Sequence, residues 1–388
     1  MMFLNQTMKR NKALVETAFE LHRSGQILPD SYVIDVDTFL ANAKLMLSEA
    51  NRYDFKLYFM LKQVGRNPYL ARELVKLGYP GVVAVDFKEA QVMMDHQIPI
   101  GNVGHLVQIP DRMVKAVVAA DPEVITVYSV EKVKTVDRAA AELGKNQAVM
   151  LRVYAGEDMV YSGQTAGIGL NELEAVARYI MAECPHVTVK GITSFPCYLY
   201  DEALREIVPT NNLATVLAGR DILNRLGLED LIVNTPSATC TRTIGRMAAA
   251  GGNCGEPGHG LSGTTPMHMY QDMEEIPGVV YVSEISHNFM GDAYCYGGGH
   301  YRRSHVEQAL TGPSFEKSRI VKVVPPSDES IDYHFGIAGE CPVGDTVIMA
   351  FRFQIFVTRS DVVLVRGISK GQPEVVGIYD SQGRKKDG

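Results

Sequence analysis

The sequence predicts an α/β fold, a (β/α)8 TIM-like barrel, followed by a mostly antiparallel β-domain, and three observations predict it. Short apolar runs alternate with helix-period stretches from residue 31 to about residue 260, the grammar of parallel βα units. After about residue 270 the runs become rich in β-branched and aromatic residues and are joined by Gly, Pro and Asp turns without long helices. The 388 residues exceed one small core, and about 100 to 200 residues per domain suggests two. The expected division is an N-terminal helical extension over 1–30, a barrel over 31–270 and a β-domain over 271–388.

In order along the chain, the candidate strands are YVIDV, KLYFMLK, VVAVD, VGHLVQ, VITVYS, AVMLRVY, VKGITSF, DLIVNT and GNCGEPG. The segments between them, such as PYLARELVKLG, EKVKTVDRAAAELG and NLATVLAGRDILNRLG, carry apolar residues at helical spacing and end in glycine, a common helix stop. Nine candidates exceed an eight-stranded barrel by one. The simplest repair assigns the eight barrel strands to residues 56–258 and leaves the first run, 32–36, to pair with the β-domain. That domain opens with GVVYVSEISH and continues through DTVIMAFRFQIFV and DVVLVRG. The charged tail QGRKKDG reads as a frayed terminus.

Composition narrows the function. A net charge of −7 and no basic run argue against a nucleic-acid partner. Basic residues interrupt residues 1–30, and no stretch of about 18 apolar residues occurs, so neither a signal peptide nor a membrane span is expected. Six dispersed cysteines without a CxxC pair speak against zinc knuckles and a disulfide framework, which suits a reducing cytoplasm.

Barrels of this type place their chemistry at the C-terminal strand ends. Lys62 stands at such an end, after the apolar run LYFML, where burial frees an amine to hold an aldehyde cofactor as a Schiff base; an ordinary solvated lysine is the plainer alternative. NTPSAT places Ser237 and Thr239 in a loop suited either to an anion or to capping the next turn. From Gly251 to Gly263, six glycines in thirteen residues let backbone approach a ligand, beside the carboxylate of Glu256. The P-loop lysine is missing, so nucleoside triphosphate binding is not expected.

YFMLKQVGRNP, NTPSAT and GEPGHGLSG, in this order, resemble the fold type III pyridoxal-phosphate enzymes, the alanine racemase and ornithine decarboxylase superfamily. Over the whole length the chain is most similar to the uncharacterised YhfX-type, racemase-like family within it. The resemblance implies an alanine racemase-type barrel and pyridoxal 5'-phosphate as cofactor, with Lys62 as the Schiff-base lysine. It implies Ser237 and the amides of Gly258, His259 and Gly260 at the phosphate, and Glu256 at the pyridine nitrogen, where alanine racemases place an arginine. EPGH is also similar to the EPGR of basic amino-acid decarboxylases. Phe195 takes the place of a ring-stacking histidine, and Arg152 is the one arginine near where racemases read the phenolic oxygen. FRFQI, Phe351 to Ile355, lacks the histidine of the metal-dependent relatives, so no metal is expected.

The opposite-face proton carrier is expected in GDAYCYGGGHYRR, on a strand where Tyr294 and Tyr296 share one face and Cys295 points to the other. Tyr301 and His300 are further candidates, a buried thiol within a tyrosine-rich dimer contact is the plainer reading, and Arg302 and Arg303 are weighed against surface charge as carboxylate readers. His105 reads more simply as a satisfied barrel residue. The expected function is an amino-acid racemase or epimerase working as a homodimer with shared sites, with no nucleic-acid or membrane partner. An amino-acid decarboxylase and a non-catalytic pyridoxal-phosphate carrier are the alternatives.

Overall fold

The computed structural model describes residues 2–298, 300–301, 303–327 and 329–386; Arg302 lies outside them. The chain divides into two units, Met46–Leu61 with Pro68–Gly258, and Met1–Leu45 with Lys62–Asn67 and His259–Gly388.

The first unit holds eight parallel strands around a closed ring: Lys56–Leu57, Val82–Ala84, Ile100–Val103, Val124–Val127, Gln147–Tyr154, Val187–Thr193, Ile232–Asn234 and Cys254–Gly255. Lys56 and Leu57 pair with Cys254 and Gly255 on one side, and Phe59 bridges Val82 on the other. Helices between the strands begin and end where side chains permit. Ser129 accepts from the Lys132 amide at the start of Val130–Leu143, and Gly144 closes that helix at φ 64°. Tyr58, Met60, Val83, Val85 and Cys254 pack together as an apolar cluster. A Cβ at Gly101 would lie 2.0 Å from the Tyr58 ring, so only glycine fits there.

Several strands are shorter than the sequence expectation: in KLYFMLK only Lys56–Leu57 is strand, with one bridge at Phe59, so Lys62 follows a stretch outside regular strand, and in GNCGEPG only Cys254–Gly255 is strand. The run VGHLVQ forms only the end of a strand that begins earlier, at Ile100, because Gly104 turns the chain at φ 91° against Thr126 O. Gln108 then holds the turn by donating to Gly104 O and Thr126 O at 2.8 Å each. In DTVIMAFRFQIFV only Thr346–Met349 is strand, and the remainder is irregular apart from one turn at Ile355–Val357.

The second unit is a nine-stranded sheet, ordered Asp292–Tyr296, His334–Ile337, Arg319–Val324, Gln308–Gly312, Thr346–Met349, Val279–Phe289, Ser31–Asp35, Asp361–Arg366 and Glu374–Tyr379. The long strand Val279–Phe289 also pairs back onto Asp292–Tyr296, closing six of them into an antiparallel barrel. Ser31–Asp35 runs antiparallel to Val279–Val282 and parallel to Asp361–Val365. Helices Phe3–Arg10 and Lys12–Arg23 bury Phe3, Leu4, Leu14, Val15 and Phe19 in one cluster with Val33, Val280, Val282, Ile348 and Val363. Each such side chain contributes about 1.5 to 3 kcal/mol on leaving water. Among the described residues no helix is long and apolar enough to cross a membrane. All six cysteines are buried and none forms a disulfide among the described residues.

Candidate functional site

Parallel strands that close a barrel deliver the residue after each strand to one rim. In the first unit that rim collects His105, Tyr128, Phe195, Ser237 and Glu256, with Arg152 inside its own strand. The Glu256 side chain is fully buried and Asn102, Thr126 and Asn234 are buried with it. Asn234 Nδ2 donates to Glu256 Oε1 at 2.7 Å, and Asn102 Nδ2 donates to the same oxygen at 3.2 Å. Thr126 Oγ1 donates to Asn102 Oδ1 at 2.7 Å, which turns the Asn102 amide group toward the carboxylate. The other carboxylate oxygen, Oε2, faces His105 Nε2 at 3.7 Å, longer than a hydrogen bond. Hydrogen bonds from neutral amides favour the charged form of a carboxylate, and a group so held suits a cationic partner. The buried Asn102, Thr126 and Asn234 went unnamed in the sequence reading. The available signal was one polar residue inside each of three apolar runs, IGNV, VITV and IVN.

Around this centre the remaining rim residues separate by what they bond. Arg152, fully buried, donates to His105 O at 3.0 Å, Gln164 O at 2.9 Å and Tyr128 Oη at 3.2 Å. Its guanidinium thus ties two loops to the barrel. Phe195 is half-buried, and the His105 ring meets it edge-on at 5.5 Å while Tyr161 lies tilted at 5.9 Å. Thr239 Oγ1 accepts from the Glu256 amide at 3.1 Å and so fixes the backbone of that residue. Ser237 Oγ donates to Tyr198 O at 2.8 Å, in the loop that precedes helix Thr241–Ala249.

In the second unit, Lys62 opens the one-turn helix Lys62–Val64, one peptide bond beyond buried Leu61. Gly258 and Gly260 are buried and flank His259, which starts the short helix His259–Ser262. His259 Nδ1 pairs with Thr264 Oγ1 at 3.0 Å, its Nε2 lies 3.4 Å from Gln354 Nε2, and Phe353 packs on its ring. Removal from water, reinforced by the charges of Arg352, Lys62 and His268, holds the imidazole well below its usual value of 6.5. His22 is also held low by burial, against the raising pull of Glu284. Between the depressed folded value and 6.5 the unfolded chain binds more protons, so stability is lost as pH falls below about 6.5, by up to about 1.4 kcal/mol per pH unit for each group. His259→Asn should flatten that acid limb in melts recorded against pH; an unchanged slope would exclude the residue as its source.

The strand Asp292–Tyr296 alternates as the sequence suggested. Tyr296 is exposed and Tyr294 half-buried, whereas Cys295 is enclosed. Burial pushes the Cys295 thiol up to about 12, so it is neither reachable nor readily ionised. Tyr294 stacks on His287 at 5.0 Å, and His334 meets the edge of His287 at 5.0 Å. Cys295→Ala is expected to leave turnover within about twofold while costing roughly 1 kcal/mol of stability by chemical denaturation. A large loss of turnover at unchanged stability would return the thiol to the chemistry. Among the described residues no group of three or more His, Cys, Asp or Glu side chains is arranged to hold a metal ion.

Comparison with known proteins agrees with this fold. Residues 34–266 match the family model for the alanine racemase N-terminal domain, and residues 280–375 match the YhfX-like C-terminal domain. The chain is 45% identical over 383 residues to the uncharacterized protein YhfX of Escherichia coli (strain K12), covering 98% of this chain and 99% of that one. Among solved structures, D-threonine aldolase from Filomicrobium marinum superposes with a TM-score of 0.64 at 17% identity, over 92% of this chain and 95% of its own. Alanine racemase from Clostridium difficile 630 in complex with cycloserine gives 0.64 at 16%, over 91% and 99%. D-threo-3-hydroxyaspartate dehydratase from Delftia sp. HT23 gives 0.65 at 14%, over 90% and 97%. At these identities the structural likeness establishes the fold.

Proposed function

This chain belongs to the alanine racemase-like family, in its YhfX branch, and on that premise we propose that it is a pyridoxal-phosphate enzyme acting at Cα of a free amino acid, as a racemase or epimerase. The observation that carries the reading is the buried Glu256 carboxylate, bonded at Oε1 by two neutral amides, a donor set that suits a protonated ring nitrogen. When bound, the cofactor draws the electron pair of a broken Cα bond into that ring. Lys62 would hold it through its amine and move the proton on one face. Ser237, the N-terminus of helix Thr241–Ala249 and the amides of Gly258, His259 and Gly260 would hold its phosphate. Thr239 would fix the backbone of Glu256, and Phe195 would offer an apolar face to the ring.

For the second proton carrier we assign the outward face of Asp292–Tyr296, where Tyr294 and Tyr296 would serve the site of a partner copy in a homodimer. Decarboxylation is the second reading because of EPGH, and the enclosed Cys295 thiol adds nothing to it. A bare cofactor carrier has no need of the second unit's tyrosine face.

Single amino acids incubated with the protein in deuterated water test the reaction. Deuterium at Cα, inverted chirality and a retained carboxylate are expected for at least one of them. Release of carbon dioxide would sink the racemase reading in favour of decarboxylation.

A further inference from the structure

We propose that Thr126, Asn102 and Asn234 are positioning residues that bond one oxygen of Glu256 and hold its carboxylate as an anion in a single rotamer that serves the cofactor's ring nitrogen. The inference rests on the cofactor reading above and extends it to residues that touch no ligand.

The arrangement is cross-barrel. Asn102 and Thr126 lie on the neighbouring strands Ile100–Val103 and Val124–Val127, while Asn234 lies on Ile232–Asn234 beside the strand that leads into Glu256. Barrel interiors are commonly filled by branched apolar side chains, and four buried polar groups lose hydration that such side chains would not. A requirement for packing alone would therefore be met with less desolvation by valine or leucine at these places.

The direction of the bonds is informative as well. Thr126 donates to Asn102, Asn102 donates to Glu256, and Asn234 donates to the same Oε1, so each of these three bonds runs toward the carboxylate. A proton on Oε1 would have to displace one of the two amides, which penalises the neutral acid. Both amides meet one oxygen and neither meets Oε2, so the carboxylate is engaged unequally. The shorter bond, 2.7 Å against 3.2 Å, makes Asn234 the stronger of the two.

The test uses the full chain loaded with pyridoxal phosphate labelled with nitrogen-15 in the ring, whose chemical shift reports ring protonation directly. In the unaltered protein the ring nitrogen is expected to be protonated, and in Glu256→Gln unprotonated. Asn234→Leu should lower its titration midpoint by about one pH unit, Asn102→Leu by less, and Thr126→Val least, because that change only releases Asn102 to flip. Asn234→Ser takes the place of the leucine variant if that protein does not fold. Unchanged midpoints in the Asn234 and Asn102 variants, with ring protonation lost in Glu256→Gln, would overturn the inference and leave the network as packing. Failure of the unaltered protein to capture the cofactor at all would overturn the cofactor reading, and this inference with it.

Discussion

Replacing Lys62 by alanine is expected to abolish covalent capture of pyridoxal phosphate and to lower turnover on the order of 10³-fold or more, the scale at which a nucleophile that also moves a proton contributes. The readout is the mass of the protein after borohydride reduction in the presence of the cofactor: the unaltered chain gains one cofactor at Lys62 and the variant gains none. Lys62→Arg sharpens the test, because it keeps a cation at the same place and removes the nucleophile. Both variants should lose capture to the same extent. A mass gain retained in the arginine variant would mean that another amine captures the cofactor, and Lys62 would have no covalent role. The fold is not at stake, since the turn Lys62–Val64 is anchored by buried Gln63 and Val64, with Gly65 carrying the positive φ that leads the chain on toward helix Pro68–Lys76.

Why Lys62 stood out in the sequence, and Asn234 did not, follows from how each is specified. A lysine after LYFML breaks an apolar run at a strand end, and period-2 and period-3.6 patterning is local information that reveals the barrel's βα units and the all-β grammar after residue 270. The eight-strand count came from the same source. The Glu256 clamp, by contrast, joins strands that are 132 residues apart in the chain, Asn102 to Asn234, and nothing local distinguishes an inward asparagine from one at a strand end. The bonds of Arg152 were hidden for the same reason: they run to the carbonyls of His105 and Gln164, which only the closed barrel brings within reach. Cys295 was half legible: alternation put it opposite the tyrosines, while its enclosure depends on pairing with Ile285 across the hairpin and with Phe335 from a strand distant in sequence.

Glu256→Gln carries the second large effect, a fall in turnover of about 10² to 10³-fold with little change in melting temperature. The two halves of that expectation come from the two oxygens. Glutamine keeps an acceptor at Oε1 for Asn234 and Asn102, so the buried donors remain satisfied and the fold loses little. At the other position it sets an amide in place of a charged oxygen, and the ring nitrogen loses the anion that keeps it protonated. Glu256→Ala separates the terms: it strands both amides in the barrel interior and should add a stability loss of roughly 1 to 3 kcal/mol for each. Turnover assays and thermal melts of both variants decide the matter. A glutamine variant that turns over within about twofold of the unaltered enzyme would show that the carboxylate serves the barrel and not the ring. Because this charge acts through the ring and not on either face of Cα, deuterium wash-in from the two enantiomers of a substrate should fall by the same factor, whereas loss of a proton carrier on one face would slow the two directions unequally.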